Sequence, residues 1–158
     1  MDSSFRFFLQ KEIIVIYFAY GSNMDQKQMY RRCPGANALG MAALLDYMLA
    51  FTRHSKKRGA VADIVPKKSW CVYGIAYEIS EGGLLTLDQF EGHPTAYRRT
   101  DVVIWPYGKA TAYEVVNKVE GLKPSKEYLE LIIEAARKSC LPDEYLWFLE
   151  NGEHTEVA

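Results

Sequence analysis

Residues 13–23 read IIVIYFAYGSN, and this stretch decides the fold. Its first part, residues 13–20, is rich in β-branched and aromatic residues at both alternating sets of positions, which predicts a β-strand buried on both faces. The strand ends at Gly21, and the residues that follow, Ser22 and Asn23, are types that accept a backbone N–H at the start of a helix. We therefore predict a strand, a tight turn and a short helix.

Further strands and short helices follow this junction. Alternation of side chains predicts strands at residues 39–53, 60–65 (ended by Pro66), 70–79, 102–105 and 110–116. Apolar spacing and capping residues predict helices at residues 84–91, from Ser125 onward, and at 143–150. We expect one α+β domain over residues 1–158, with a small, mixed, barrel-like sheet and short helices around it.

Composition and charge exclude several classes of function. The chain has 158 residues, of which 49% are hydrophobic, enough for one packed core. Nineteen Lys and Arg against twenty Asp and Glu leave a net charge of -1, which argues against nucleic-acid and membrane-surface roles. Phe5, Phe7, Phe8 and Leu9 form a short apolar run around Arg6, but Lys11 and Glu12 interrupt it, so neither a signal peptide nor a spanning helix is predicted.

The cysteines and histidines do not form a metal-binding pattern. Cys33, Cys71 and Cys140 are far apart and odd in number, which favours three small buried side chains in a reducing compartment. The three histidines, at positions 54, 93 and 154, lack the one-turn spacing that lets two imidazoles reach one ion. We expect no metal.

Two local patterns could carry chemistry, although each has an ordinary explanation. Successive backbone N–H groups in the turn at residues 20–23 would make a cradle for a carboxylate or an oxyanion, but an ordinary turn is the favoured interpretation. Asp88 and Glu91 lie three residues apart on one helical face, a spacing that usually belongs to a solvated surface.

Two further interpretations remain in the minority. Ser22 could act as a nucleophile with His54 or His93 as its base, but the sequence lacks the second glycine of a G-x-S-x-G elbow. The basic run at residues 53–58 could contact phosphate, but a solvated loop is the favoured interpretation.

Four segments together resemble one known family. Residues 17–24, YFAYGSNM, resemble the N-terminal signature of the γ-glutamylcyclotransferases. Residues 70–77, WCVYGIAY, resemble the central Val-x-Gly strand of that family, and residues 87–92, LDQFEG, resemble its L-D-x-x-E-G motif. The segment 141–145, LPDEY, also resembles a family feature, so the similarity covers residues 17–150 in order.

This resemblance implies a fold, a reaction and a site. A small barrel-like sheet would carry a pocket at one end, and two copies could associate as a homodimer. A γ-glutamyl amino acid or amine would cyclise to 5-oxoproline and release its amine without a cofactor, a transferase or lyase type of reaction in glutathione metabolism. Glu91 matches the catalytic proton acceptor. The matched substrate-binding residues are Tyr17, Phe18, Ala19, Tyr20, Gly21, Ser22, Asn23, Tyr97, Tyr113 and Tyr128.

The implied reaction is consistent with these residue types. The attacking amine and the γ-carbonyl belong to one molecule, so the protein needs to hold the chain folded and to move protons. Glu91 would take the proton from the amine and deliver it to the departing nitrogen, and the apolar surroundings offered by Phe90 and Tyr97 would raise its pKa. We expect a small-molecule γ-glutamyl substrate as the partner and the cytoplasm as the location.

The sequence does not identify the amine that is released, and it leaves two alternative functions open. The turn residues Ser22-Asn23-Met24 favour γ-glutamyl amino acids over glutathione or γ-glutamylamines, while Phe90 and Asp63 depart from the relatives and put the leaving group in question. A binding module would hold γ-glutamyl compounds without turnover. A Ser22 hydrolase would instead pass through a covalent acyl-enzyme.

Overall fold

The computed structural model describes residues 12–152, in which strands and short helices alternate. The strands are β1 Ile14–Ala19, β2 Asn37–Ser55, β3 Gly59–Ser80, β4 Tyr97–Ile104 and β5 Gly108–Val115. The helices are α1 Gln26–Arg32, α2 Glu81–Glu91, α3 Lys126–Lys138 and α4 Asp143–Asn151, with a short 3-10 helix at Ser22–Met24. The apolar run at residues 5–9 and His154, both considered above, lie outside the described residues.

The five strands form one mixed sheet in the order β2-β3-β1-β5-β4. β1 is antiparallel to β3 and parallel to β5, whereas β2–β3 and β4–β5 are antiparallel pairs. The predicted α+β class is thereby confirmed. The sheet is not a closed barrel within the described residues, but Ala43 of β2 and Trp105 after β4 exchange two backbone hydrogen bonds of 2.9 Å that link the edge strands.

β1 lies at the centre of the sheet, and only its second half is buried on both faces. Tyr17, Phe18 and Ala19 are buried, as predicted, but Ile14 is 53% exposed. Ile14 pairs with Ser80, the last residue of β3, so the first half of the strand lies at the margin of the sheet. The turn at Gly21 therefore follows the buried end of the central strand.

The two strands predicted at residues 60–65 and 70–79 are one strand, β3, which continues through Pro66. Pro66 is tolerated because β1 pairs only with residues 75–80 of β3, so β3 pairs with β2 alone around the proline. The β2–β3 ladder shifts register between Leu45 and Tyr47. Asp46 and Ser69 both have positive φ at this irregularity, and the Ser69 amide donates to Asp46 Oδ1 at 2.9 Å. The long hairpin is therefore irregular at the point where the sequence suggested a break.

Helix α2 places Glu91 at its C-terminal end. Its N-terminus is capped by Ser80, whose Oγ accepts a hydrogen bond from the Gly83 amide at 3.0 Å. Gly92 ends the helix with φ of 66°, a left-handed conformation that glycine adopts without a steric penalty. The helix ends at the predicted residue, but its first residue, Glu81, lies three positions before the predicted start.

Helix α3 begins after Ser125, as predicted, and presents Tyr128 from its first turn. Ser125 Oγ accepts a hydrogen bond from the Tyr128 amide at 3.2 Å. Ile132 and Ala136 on the buried face of the helix are completely enclosed by the core. None of the helices between residues 12 and 152 combines the length and apolar character needed to cross a membrane.

Candidate active site

A cavity of about 130 Å³ opens to solvent beside the turn that follows β1. The turn contributes Tyr20, Gly21, Ser22 and Asn23 to the cavity wall, and α2 contributes Glu91. Four more tyrosines complete the set of sequence-predicted residues on the wall: Tyr17, Tyr97, Tyr113 and Tyr128. Residues that are far apart in the sequence thus meet around one space, at the end of the central strand.

Phe18 and Ala19, also predicted as substrate-binding residues, do not line this cavity. Successive side chains of a strand point to opposite faces, and Tyr17 occupies the face beside the cavity. The ring of Phe18 lies against Gly74 of β3, where a Cβ atom would stand 2.7 Å from Phe18 Cε2. Both residues are completely buried in the core. Their role here is to pack β1 closely onto β3.

The turn leaves backbone donors without partners inside its own helix. The Met24 amide donates to the Gly21 carbonyl at 3.1 Å, and the Asp25 amide donates to the Ser22 carbonyl at 3.0 Å. These bonds form the 3-10 helix, whose first N–H groups, on Ser22 and Asn23, have no intrahelical acceptor. The amides are therefore the groups in this turn that could serve an anionic part of a ligand.

The Asn23 side chain connects the turn to Glu91. Its Nδ2 group donates to the Tyr17 hydroxyl at 2.9 Å and to Glu91 Oε1 at 3.4 Å. Its Oδ1 atom accepts from Gln28 Nε2 at 3.0 Å and from Arg32 Nη1 at 3.1 Å. Because the amide uses both its donor and its acceptor, Asn23 is held in one orientation next to the carboxylate.

Glu91 is a partly buried carboxyl group whose pKa is raised to about 7. Burial is the main cause, because it disfavours the charged form, while the positive charges of Arg32 and Arg58 offset part of the rise. No salt bridge to Glu91 is formed among residues 12–152. The side chain can therefore both accept and release a proton near neutral pH.

The raised pKa of Glu91 predicts a stability difference between the wild type and Glu91→Gln that depends on pH. The folded-state pKa of about 7 lies above the ordinary value of 4.5, so ionisation of Glu91 destabilises the folded protein as the pH rises through this window. Glu91→Gln removes that penalty, which reaches about 3 kcal/mol at most above pH 7. Thermal melts should show the variant gaining stability over the wild type between pH 4 and pH 8. The same difference at both pH values would contradict the raised pKa.

The cavity tyrosines are fixed by hydrogen bonds and remain protonated. Tyr97 donates to the Ala62 carbonyl at 2.6 Å, and the Tyr128 hydroxyl accepts from the Ala62 amide at 3.1 Å. The Tyr20 hydroxyl donates to the Tyr113 carbonyl. Burial raises the pKa of Tyr128 to about 12 and that of Tyr97 well above its usual value. These phenols can donate hydrogen bonds and shape the cavity, but they are poor proton acceptors.

Asp88, on the same helix as Glu91, belongs to a hydrogen-bond network that supports the wall. Arg99 donates to its two carboxylate oxygens at 2.8 and 2.5 Å, and the Tyr113 hydroxyl donates to Oδ1 at 2.6 Å. Burial raises the pKa of Asp88, but the bonds from Arg99 and Tyr113 outweigh it and hold the pKa below its usual value. Asp88 therefore stays ionised and orients Tyr113.

We predict that Asp88→Asn lowers stability and largely spares turnover. Asparagine keeps an acceptor for Tyr113 but loses the charge that pairs with Arg99, which lies partly at the surface, so the expected loss is about 1 kcal/mol. The value of kcat should fall by less than about tenfold, because Asp88 does not carry the transferred proton. Urea unfolding and steady-state kinetics measure the two effects. A loss of kcat larger than that of Glu91→Gln would move the proton-transfer role to Asp88.

Two arginines on the cavity wall were not predicted as site residues. Arg32, at the end of α1, lies over the Phe90 ring at 5.0 Å from its centroid, and burial lowers its pKa. Arg58 belongs to the basic run that was interpreted as a solvated loop, but its guanidinium lies 5.0 Å from the centroid of the Tyr128 ring. That interpretation was wrong for Arg58. No local sequence pattern distinguishes it from its basic neighbours.

Ser22 does not have the surroundings of an activated nucleophile. Its Oγ atom accepts hydrogen bonds from Gln28 Nε2 at 2.8 Å and Arg58 Nη1 at 3.0 Å. In the part of the chain that the structure describes, no hydrogen bond joins Ser22 to His54 or His93. The partners present are an amide and a cation, and neither can take the hydroxyl proton.

Asp63, the unusual charged residue in β3, is completely buried, and both of its carboxylate oxygens accept hydrogen bonds. Its carboxylate accepts from Thr52 Oγ1 at 2.7 Å, from the Val115 amide at 2.9 Å and from Lys118 Nζ at 2.7 Å. These bonds connect β2, β3 and β5 directly behind Ala62. Asp63 is thus a structural residue that supports the cavity wall and does not line it.

The cysteines differ in burial more than the sequence suggested. Cys33 is buried, Cys71 is half-buried and Cys140 is exposed, and all three are free thiols. The prediction of three buried side chains is therefore wrong for Cys140, which has a positive φ just after α3. Between residues 12 and 152 no group of three or more His, Cys, Asp or Glu side chains is arranged to hold a metal ion.

Comparisons with known proteins agree with this architecture. The AIG2-like family model matches residues 71–149. A γ-glutamylcyclotransferase from Homo sapiens is 31% identical in an alignment 140 residues long that covers 82% of this chain and 74% of the relative. One from Bos taurus is 30% identical over the same shares. A solved structure of a γ-glutamyl cyclotransferase superposes with a TM-score of 0.81 at 27% identity, covering 92% of this chain and 94% of that one.

Proposed function

Since this chain belongs to the γ-glutamylcyclotransferase family, we propose that it cyclises γ-glutamyl amino acids or amines to 5-oxoproline, with Glu91 transferring the protons. The observation that carries the mechanism is the position of Glu91, a carboxyl group with a pKa of about 7 on the wall of a cavity bounded by the turn at residues 20–23. A general base poised near neutral pH can take a proton from an ammonium group and return it within one turnover.

The reaction needs no nucleophile from the protein. The substrate's α-ammonium group gives one proton to Glu91, and the freed amine attacks the γ-carbonyl carbon and forms the new C–N bond of a five-membered ring. The tetrahedral intermediate collapses when Glu91 returns this proton to the departing nitrogen and the old C–N bond breaks. The ring nitrogen gives its second proton to the released amine, which leaves as an ammonium ion, and the lactam N–H of 5-oxoproline remains. Atoms and charges therefore balance within one substrate and one carboxyl group. Holding the substrate folded supplies most of the advantage.

The turn and the tyrosines would bind and orient the folded substrate. The Ser22 and Asn23 amides are donors for an anionic group, and Gly21 brings the backbone to the cavity without a side chain in the way. Tyr97 and Tyr128 are tied to Ala62 and give the cavity a fixed shape. In this proposal the tyrosines select the conformation that brings amine and carbonyl together.

We further propose that the enzyme works without a cofactor, in the cytoplasm and as a homodimer. Intramolecular attack with one proton shuttle requires neither a metal nor an organic cofactor. Free thiols at all three cysteines suit a reducing compartment, so we place the enzyme in the cytoplasm, in glutathione metabolism. Its partners would be small γ-glutamyl substrates, without nucleic acid or membrane, and the chain would form a homodimer. Light scattering on the purified protein tests the last point.

Mass spectrometry of the purified protein with a substrate panel tests the proposed function. The panel contains γ-glutamyl dipeptides, glutathione and γ-glutamyl-lysine, and the assay buffer contains a chelator. We expect 5-oxoproline and one equivalent of free amine from at least one γ-glutamyl compound. Saturable binding without any product would instead identify a binding module, and activity that returned only on adding zinc would contradict the cofactor-free mechanism.

A further inference from the structure

The cavity wall carries two guanidinium groups that form no ion pair with a carboxylate among residues 12–152. Arg32 and Arg58 both line the cavity, where Glu91 is the acidic residue of the wall. Among residues 12–152, neither arginine has a carboxylate oxygen within 4.0 Å. Arg32 and Arg58 are both partly buried, and a partly buried cation is stabilised by an anionic partner. Two such groups facing one cavity therefore favour an anionic ligand.

Arg58 is held in place by contacts with neutral groups. Its Nη1 donates to Ser22 Oγ at 3.0 Å, and its Nη2 donates to Gln28 Oε1 at 3.1 Å. Its plane is supported by the Tyr128 ring, and its backbone carbonyl accepts from the Ser125 amide at 2.7 Å. The guanidinium is therefore preorganised before any ligand binds.

These contacts leave donors available on Arg58. A guanidinium has five N–H groups, and the bonds to Ser22 and Gln28 use two of them. The remaining N–H groups and the full positive charge suit a carboxylate, which pairs with arginine through strong, charge-assisted hydrogen bonds. Arg32 also has N–H donors available for an anion, because its described hydrogen bond uses one of them and goes to the neutral Asn23 Oδ1 atom.

The charge on the wall matches one subclass of γ-glutamyl compound. Two arginines and an ionised Glu91 leave a net charge of +1 (2 − 1) on the titratable wall groups. A γ-glutamyl amino acid carries one ammonium and two carboxylates, so it supplies a carboxylate for each arginine. A γ-glutamyl amine that lacks the second carboxylate would leave one arginine without its anion.

The positions of the two arginines suggest which carboxylate each one takes. Arg32 lies near Glu91, because the Asn23 side chain hydrogen-bonds to both groups. The α-ammonium group must meet Glu91 first, and the α-carboxylate lies two bonds from that nitrogen. Arg58 approaches from the β2–β3 turn, over Tyr128, and meets the cavity beside Ser22.

We propose that Arg58 is the specificity-determining residue that binds the carboxylate of the leaving amino acid, while Arg32 binds the α-carboxylate of the glutamyl part. This inference rests on the proposed function and assigns recognition of the leaving group to one side chain. The enzyme prefers γ-glutamyl amino acids to γ-glutamyl amines because the leaving group's own carboxylate completes the contacts of Arg58. Replacing Arg58 therefore abolishes the preference for substrates whose leaving group carries a carboxylate.

A matched pair of substrates tests the inference. γ-Glutamyl-alanine and γ-glutamyl-ethylamide differ only in the leaving-group carboxylate. For the wild type, kcat/KM should favour γ-glutamyl-alanine by roughly 10- to 100-fold, the usual range for a charge-assisted contact. Arg58→Gln should lose this advantage, mainly through a higher KM for γ-glutamyl-alanine, so that the ratio of kcat/KM between the two substrates approaches one.

Control variants separate this contact from general charge effects. Lys57→Gln removes a positive charge from an exposed position in the same turn and should leave the preference intact. Arg58→Lys keeps the charge without the planar fork and should show an intermediate preference. Arg32→Gln should reduce kcat/KM for both substrates together, because both carry the α-carboxylate. Thermal melts establish that each variant is folded.

The results of these assays either support or overturn the role of Arg58. Loss of the preference in folded Arg58→Gln alone supports the inference. A wild type without preference, equal losses on both substrates in Arg58→Gln, or loss of the preference in Arg32→Gln instead would overturn it while leaving the cyclotransferase function standing. Absence of the wild-type preference overturns the inference without any variant. If Arg58→Gln fails to fold, the intermediate preference expected for Arg58→Lys tests the Arg58 contact, and an unchanged preference in that variant overturns the inference. Absence of 5-oxoproline from every substrate would instead refute the proposed function.

Discussion

Replacing Glu91 by glutamine should lower kcat by at least about 100-fold while substrate binding survives. Glutamine keeps the shape of glutamate and can still accept a hydrogen bond from Asn23, but it cannot take a proton from the α-ammonium group. Because the new bond forms only after that proton leaves, the chemical step should fail and not the binding step. Steady-state kinetics gives kcat, and calorimetric titration of the variant gives the affinity for the unconverted substrate.

The pH profile provides the control for Glu91→Gln. The wild-type rate should decline as the pH falls through about 7, because the base form of Glu91 is lost when the carboxyl group is protonated. Residual activity of the variant should lack this decline. Near-normal turnover in folded Glu91→Gln, or an acid limb that persists in the variant, would show that another group moves the proton.

Gly21→Val should weaken substrate binding by roughly 10- to 100-fold and leave the fold largely intact. A Cβ atom at Gly21 would stand 3.2 Å from Ala62 Cβ and 3.6 Å from the Tyr128 hydroxyl, both on the cavity wall. The methyl groups of valine therefore have to enter the space that the ligand needs or push Tyr128 aside. Titration with substrate in the Glu91→Gln background measures binding without turnover, and circular dichroism reports the fold.

Gly35→Val is the matched control for the turn variant. Apart from its chain neighbours, no described residue has an atom within 4 Å of a Cβ added at Gly35, so the same substitution there should change neither binding nor stability appreciably. If a folded Gly21→Val protein bound substrate as tightly as the wild type, the turn would not be part of the binding site.

Local sequence signals predicted the parts of the site that depend on short-range structure. The run before Gly21 is a strand because of its β-branched and aromatic residues, and Gly92 ends α2 because only a residue tolerant of positive φ fits there. Ser125 capped α3 for a similarly local reason. These elements place the turn and Glu91. The local patterns alone favoured an ordinary turn and a solvated surface, and the family resemblance singled out both as site features.

The remaining features depend on contacts between residues that are far apart in the chain. Arg58 looks like its solvated neighbours until the β2–β3 hairpin brings it over Tyr128. The bonds from Arg99 and Tyr113 to Asp88 likewise arise only when β4 and β5 pack against α2. The continuity of β3 through Pro66 depends on which strand lies on its other side. Periodicity and capping rules carry no information of this kind.

Turnover of a γ-glutamyl dipeptide in water labelled with heavy oxygen tests the central claim most directly, because it shows whether the substrate's own amine or a water molecule replaces the leaving group. Intramolecular attack predicts 5-oxoproline of the same mass as that formed in ordinary water, together with free amino acid. A hydrolase acting through Ser22 would release glutamate that carries heavy oxygen in its γ-carboxylate. Labelled glutamate as the main product would contradict the account, and unlabelled 5-oxoproline, lost in Glu91→Gln, is the result it predicts.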